Sequence, residues 1–204
     1  MDAREHWGTV YRTKRADDVS WFQREPTLSL DLIRRVAPDP ATRIIDVGAG
    51  TSTLVDGLLR EGYESISVLD IADEALAQSR ARLGARAAAV EWLVGDVRTI
   101  ELPEAAYDVW HDRAVFHFLT DRLDRAAYVA QVRRAVRPGG YLLVATFAED
   151  GPQKCSGLAV ARYSVPDLHR EFGEPFELIE SVRELHTTPS GAQQAFVYCR
   201  WRNA

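Results

Sequence analysis

The sequence predicts an α/β fold built on a parallel sheet, and three observations carry that expectation. Five short apolar runs lie between residues 43 and 147, each separated from the next by sequence of helical period. Three of them end in an acid: Ile44-Ile45 reaches Asp46, Ile66–Leu69 reaches Asp70, and Val90–Val94 leads through Gly95 to Asp96. The first run is followed by Gly48-Ala49-Gly50 and a helix-compatible segment, Ser52–Arg60. Parallel strands buried on both faces read as such short apolar runs. A glycine turn between strand and helix lets the chain bend sharply and lets a ligand approach the backbone. The helix N-terminus behind it offers unpaired N–H groups to a polar or anionic ligand.

The elements follow in order. Residues 5–14 read as an amphipathic helix with Trp7, Val10, Tyr11 and Lys14 on one face. Val19–Gln23 is a short apolar stretch. Pro26 opens a second helix, in which Leu28, Leu32, Ile33 and Val36 share a face until Pro38 and Pro40 close it. After the first strand and its glycine turn, helices are expected over 52–60 and 73–83, the latter starting near Asp73. Tyr107–Asp112 is the fourth run. A long helix over 121–137 places Tyr128, Val129, Val132 and Val136 together, with Asp121 as N-cap and Pro138-Gly139-Gly140 as its stop. The fifth run is Gly139–Phe147. Residues 148–163 read as a long loop at a strand end, where function tends to concentrate. Val165-Pro166-Asp167 opens a short helix to Phe172, and strand-like runs follow at Phe176–Leu185 and Ala195–Trp201. No shift in composition marks a second domain.

Two glycines alone identify no ligand, because an ordinary βα turn uses them too. A dinucleotide fingerprint has a third glycine for close helix–strand packing, and Thr53 stands in its place here. The acid at Asp46, before the turn, also departs from that pattern. Asp70, 20 residues beyond the second glycine, stands where a strand-end carboxylate accepts ribose hydroxyls.

Taken together, Asp46-Val47-Gly48-Ala49-Gly50-Thr51, Leu69-Asp70-Ile71, Gly95-Asp96-Val97, Tyr107-Asp108-Val109 and Arg137-Pro138-Gly139-Gly140 resemble, in order and spacing over roughly half the chain, the class I S-adenosylmethionine-dependent methyltransferases. The resemblance implies a single doubly wound, Rossmann-like domain over 1–204. Its sheet would be mostly parallel and seven-stranded, with an antiparallel C-terminal hairpin. Residues 1–25 would be a lid or cap, 42–147 the cofactor-binding core, and 148–204 the substrate loop and last strands. It also implies S-adenosylmethionine as cofactor. Gly48 and Gly50 would pass its methionine part, which Asp46 faces. Asp70 would take the ribose hydroxyls and Ile71 pack on the adenine, while Asp96, with Val97 beside it, would accept the adenine amino group. A carboxylate suits ribose because it accepts two O–H donors.

Composition sets bounds on partners. The chain has 204 residues, 46% apolar and 27% charged, with net charge −5, which suits one domain with a substantial core. The arginines of 121–137 are interleaved with Asp121 and Asp124, and no basic stripe with aromatics marks a nucleic-acid partner. The two cysteines, Cys155 and Cys199, lie far apart, as in a reduced cytoplasmic protein. Cys199 is expected in a buried strand and Cys155 in an exposed loop. No signal peptide or membrane-spanning stretch is visible.

Three segments are expected to cover the acceptor edge: the N-terminal 25 residues, the loop after Trp110, and residues 148–163. The fourth strand's exit, Trp110-His111-Asp112-Arg113-Ala114-Val115, more weakly resembles the Asp-Arg-Gly segment of thiopurine and related thiol methyltransferases, with Ala114 where that group has glycine. His111 is the candidate acid–base residue, since imidazole titrates near neutrality and Asp112 adjoins it; the alternative is an orienting or structural histidine. Arg113 is read either as an anchor paired with Asp112 or as a clamp for an acceptor carboxylate. His117 is read as packing, and no third ligand makes a metal site with the two histidines. Trp7, Tyr11, Trp21 and Phe22 are read as a lid favouring the cationic sulfonium or as the packed face of a helix. The expected activity is methyl transfer to a small-molecule acceptor, with a thiol first in line. A protein-lysine methyltransferase and a non-catalytic cofactor-binding module are the alternatives, and a dehydrogenase is a distant fourth.

Overall fold

The computed structural model describes residues 2–204. Strands β1 (Arg43–Val47), β2 (Ser65–Asp70), β3 (Val90–Val94), β4 (Tyr107–Arg113) and β5 (Val136–Phe147) are the five expected runs. A two-residue hairpin, β6 (Lys154–Cys155) and β7 (Leu158–Ala159), stands apart, and β8 (Phe176–Thr187) and β9 (Gln193–Asn203) complete the sheet. Its order is β3-β2-β1-β4-β5-β9-β8. The first five strands run parallel, β9 is antiparallel to β5, and β8 is antiparallel to β9. The order reverses between β1 and β4, so the helices that follow these strands diverge and leave a crevice at their carboxyl ends.

Both faces of the sheet are covered, which is why the strands read as continuous apolar runs. Ile45, Val47, Trp110 and Leu142 face α5 (Arg122–Ala135) and α6 (Val165–Phe172), meeting Tyr128, Val132, Leu168 and Phe172. Ile44, Val68, Val109 and Leu143 face α2 (Thr27–Arg34), α3 (Leu54–Arg60) and α4 (Asp73–Leu83), through Leu32, Ile33, Leu58 and Leu76. Burying side chains of this size contributes about 1.5–3 kcal/mol each. The edge strand β8 alternates more and less buried residues along its length, with Glu177 and Arg183 among the exposed ones.

The first helix, α1 (Ala3–Thr13), is capped by the Asp2 carboxylate, which accepts from the Arg4 N–H, and lies against α4. Arg12 pairs with Glu74, and the Gln78 amide donates to the Tyr11 carbonyl at 2.6 Å. Beyond it, residues 20–23 are pinned at three places. His186 Nε2 donates to Ser20 O at 2.8 Å, Arg113 Nη1 donates to Trp21 O at 3.1 Å, and Thr53 Oγ1 donates to Gln23 O at 2.9 Å.

Two expectations need correction. The long helix stops at Ala135, and Arg137-Pro138-Gly139-Gly140 lies inside β5 rather than ending a helix. Pro138 disfavours helical backbone at the residue before it, and Gly139 has φ +75°. The pairing register with β4 shifts at this point, where Asn203 Nδ2 donates to the carbonyls of Val136 and Arg137. Cys155 is buried rather than exposed, because residues 154–159 fold back as a hairpin.

Candidate functional site

The site grows from the β1–α3 turn. Gly48 and Gly50 adopt φ +60° and +54°, conformations that favour glycine. Their surroundings demand it as well. A Cβ on Gly48 would lie 1.9 Å from Val115 Cγ2, and one on Gly50 would lie 2.1 Å from Tyr11 Oη. The turn is thus held between its own chain's β4 exit and α1. At the end of β2, Asp70 Oδ2 accepts the Gly50 N–H at 2.7 Å and Oδ1 accepts the Ala72 N–H at 2.8 Å. This carboxylate is 5% exposed, and burial pushes its pKa up to about 6 despite those two bonds. Each oxygen keeps a lone pair for a further donor.

Beyond β3, Asp96 Oδ1 accepts the Arg98 N–H at 2.9 Å, and the Arg98 guanidinium pairs with Asp96 and, at 2.6 Å, with Asp124 of α5. That guanidinium holds the Asp96 carboxyl below its ordinary value. Nothing in the sequence pattern singled out Arg98, and Asp124 stood out only among the charges of 121–137; they meet because the first turn of α5 lies beside the loop after β3.

A cavity of about 270 Å³ joins these parts. Asp96, Val97 and Arg98 line one end, Asp70, Ile71 and Gly48 the middle, and Trp7, Trp21, Phe118, Arg113, Cys155 and Leu158 the other end. Trp7 stands edge-on to Trp21 and to Phe118, with ring centroids 5.8 and 5.0 Å away. A second, smaller cavity of about 40 Å³ lies behind the glycine turn, lined by Asp46, Ser29, His111, Thr51 and Ser52, and it shares Gly48, Trp21 and Arg113 with the first.

Six of the eight expected cofactor residues therefore line the larger cavity: Gly48, Asp70, Ile71, Asp96, Val97 and Trp21. Asp46 lines the smaller one, and Gly50 acts through its N–H on Asp70. The expected catalytic trio is placed differently. His111 is 3% exposed, faces Asp46 and Ser29, and lines the smaller cavity rather than the larger one. Asp112 is fully buried on the opposite face of β4, because neighbouring strand residues point to opposite sides. It accepts the Val115 and Phe116 N–H groups at 2.9 and 3.0 Å and the Tyr128 hydroxyl at 2.6 Å, which makes it the clasp of the β4 exit. Arg113 reaches both cavities but is anchored. Its Nε donates to Tyr198 Oη at 2.7 Å, its Nη2 meets Glu184 at 3.5 Å, and its guanidinium lies 4.4 Å over the Phe196 ring. Its partner is Glu184, not Asp112. His117 is fully buried, with its pKa lowered to about 3 by desolvation. Burial pushes the Cys155 thiol up to about 11. Among the described residues no cluster of His, Cys, Asp or Glu is placed to hold a metal, and no helix is long and apolar enough to cross a membrane.

The donor set fits an adenosyl amino-acid ligand on observations of this structure. Acceptors for an amino group and for a diol stand at successive strand ends along one cavity, and Asp46 Oδ2 is buried with no partner beside the second cavity.

Comparison with known proteins agrees with this arrangement. Residues 44–140 match a family model described as a methyltransferase domain. The chain is 36% identical to the malonyl-[acyl-carrier protein] O-methyltransferase of Methylococcus capsulatus over 137 residues, 65% of this chain and 47% of that protein. It is 25% identical to the mouse eEF1A lysine and N-terminal methyltransferase over 153 residues, 71% of this chain and 21% of that one. It spans about half the length or less of these curated relatives. Among solved structures, the N-methyltransferase NodS of Bradyrhizobium japonicum in complex with S-adenosyl-L-homocysteine superposes with a TM-score of 0.73 at 16% identity, over 97% of this chain and 98% of that one. These relatives are O-, N- and protein-directed enzymes, and they lend the thiol-methyltransferase resemblance no support. By motif order, fold and these likenesses, residues 44–140 carry a methyltransferase domain of the class I S-adenosylmethionine-dependent type.

Proposed function

We propose that this chain transfers a methyl group from S-adenosylmethionine to a small-molecule acceptor, with a thiol as the leading acceptor class. The observation that carries the reading is the single cavity that runs from Asp96 past Asp70 and Gly48 to an aromatic chamber. When bound, the cofactor supplies an electrophilic methyl on a sulfonium, which an acceptor lone pair takes in line as the thioether leaves. Asp96 and Val97 would hold the adenine edge, Asp70 the ribose diol, and Asp46 the amino-acid end. The faces of Trp7, Trp21 and Tyr11 favour a cation through their quadrupoles. Holding acceptor and methyl in line contributes about 7–11 kcal/mol without any proton transfer.

The acceptor end favours a nucleophile that needs no enzymic base. Arg113 is tied to Tyr198 and Glu184, the carboxylates of Asp70 and Asp96 are taken up by ribose and adenine on this reading, and Cys155 stays a neutral thiol. A thiolate enters such a chamber already ionised, and its charge cancels that of the sulfonium as the bond forms. Calorimetric titration with S-adenosylmethionine and S-adenosylhomocysteine, with NAD as control, followed by turnover on matched thiol, amine and hydroxyl acceptors, tests the proposal. Micromolar binding of both sulfur ligands with turnover on thiols is the expected result; turnover on amines or hydroxyls alone rejects the thiol.

A protein-lysine acceptor is the second reading, favoured by the likeness to the mouse lysine and N-terminal methyltransferase. Labelling of a cell extract with radioactive cofactor separates the two. Label in protein bands and none in the small-molecule fraction selects the second.

A further inference from the structure

His111 is withdrawn from the acceptor chamber, yet it sits in a polar arrangement that packing alone does not require. Asp46 and His111 are register partners on β1 and β4, so their side chains rise from the same face of the sheet, the one α2 covers. His111 Nδ1 lies 2.7 Å from Asp46 Oδ1, and Nε2 lies 2.9 Å from Ser29 Oγ of α2. All three residues are at most 3% exposed. A carboxylate oxygen only accepts, so Nδ1 carries a proton and donates it, while Nε2 meets the Ser29 hydroxyl.

This chain fixes one oxygen of Asp46 and leaves the other unused. Oδ2 is buried without a partner, which is costly for an acceptor in a protein interior. Asp46 borders the cavity of about 40 Å³ behind the glycine turn, together with Gly48, Thr51 and Ser52. That volume suits a small polar group such as an ammonium. We propose that His111 and Ser29 are positioning residues that hold the Asp46 carboxylate so that Oδ2 receives the ammonium of the cofactor's amino-acid end. The inference rests on the cofactor reading above and assigns His111 no contact with the reacting atoms. Ser29, 17 residues before Asp46 and on another element, joins the cofactor site through the histidine and as part of the wall of the smaller cavity.

The test compares two ligands that differ in the amino-acid end. S-adenosylhomocysteine carries it, and 5′-methylthioadenosine lacks it. Calorimetry on the full chain is expected to show that His111→Phe weakens S-adenosylhomocysteine about 10–100-fold, as for a lost hydrogen bond to a charged group. Methylthioadenosine should stay within twofold. His111→Asn, whose amide can stand in for Nδ1, should recover most of the loss. Ser29→Ala should weaken S-adenosylhomocysteine about threefold and spare methylthioadenosine. Equal losses for both ligands, or S-adenosylhomocysteine unchanged in His111→Phe, overturn the proposal. If His111→Phe does not fold, Ser29→Ala decides alone, and an unaltered ratio of the two affinities overturns it. A wild-type chain that binds neither nucleoside overturns the cofactor reading itself, and this inference with it.

Discussion

Replacing Asp70 by asparagine separates what a buried carboxylate does for binding from what it costs in folding. The side chain keeps its shape but loses its charge. The wild-type carboxyl is pushed from an ordinary 3.8 up to about 6 by burial. The folded state therefore holds its proton more tightly than the unfolded chain does. The resulting stabilisation is full below about pH 3.8 and is lost as pH rises through 6, a swing of about 3 kcal/mol. Asparagine abolishes the swing. It also has one acceptor oxygen where two backbone donors, the N–H groups of Gly50 and Ala72, converge at 2.7 and 2.8 Å. One stranded donor costs about 1–3 kcal/mol at every pH. Asp70→Asn should thus be about 1–3 kcal/mol less stable than wild type at pH 4, and equal to it or up to 2 kcal/mol more stable at pH 8. Urea unfolding at both pH values reads the difference. Affinity for S-adenosylhomocysteine at pH 8 should fall about 10–100-fold as the charged ribose contact is lost. A stability difference that stays the same at both pH values refutes the burial argument, and an affinity within twofold of wild type refutes the ribose assignment.

Two further substitutions test the frame around the cavity. Gly50→Ala places a Cβ 2.1 Å from Tyr11 Oη at a φ of +54°, so it should cost about 1–2 kcal/mol for the backbone and more for the overlap. Adding Tyr11→Ala should remove only the overlap, and strictly additive effects in thermal unfolding count against that packing. Asp112→Ala strands three buried donors, the N–H groups of Val115 and Phe116 and the Tyr128 hydroxyl, at about 6 kcal/mol. It also releases about 3 kcal/mol at pH 8, because burial pushes this carboxyl up to about 6 as well. The melting temperature should fall by about 6–12 °C, with S-adenosylhomocysteine affinity held within threefold; a stable variant that loses turnover restores a catalytic Asp112.

Much of the fold was written locally. Five apolar runs, a glycine turn and three strand-end acids are short-range patterns, and each formed the element it indicated at nearly the expected place. The acids that line the larger cavity share that property: Asp70 and Asp96 were readable because a parallel strand delivers its last residues to one edge of the sheet whatever the rest of the chain does. Strand alternation also separates His111 from Asp112, since adjacent residues on β4 must face opposite layers. Sequence proximity had suggested that they act together.

What each residue meets across the fold was settled by tertiary structure alone. The packing of α5 beside the loop after β3 brings Asp124 to Arg98, and the return of β8 and β9 puts Glu184 and Tyr198 around Arg113. The docking of α2 gives His111 its serine, and that of α1 lays Tyr11 on Gly50. The sequence by itself determined which residues stand at the strand ends, because strand geometry and apolar period are local. Their partners, and hence which of them bind, which clasp and which position, depend on contacts between segments up to 92 residues apart, and only the closed packing of both layers on the sheet decides those.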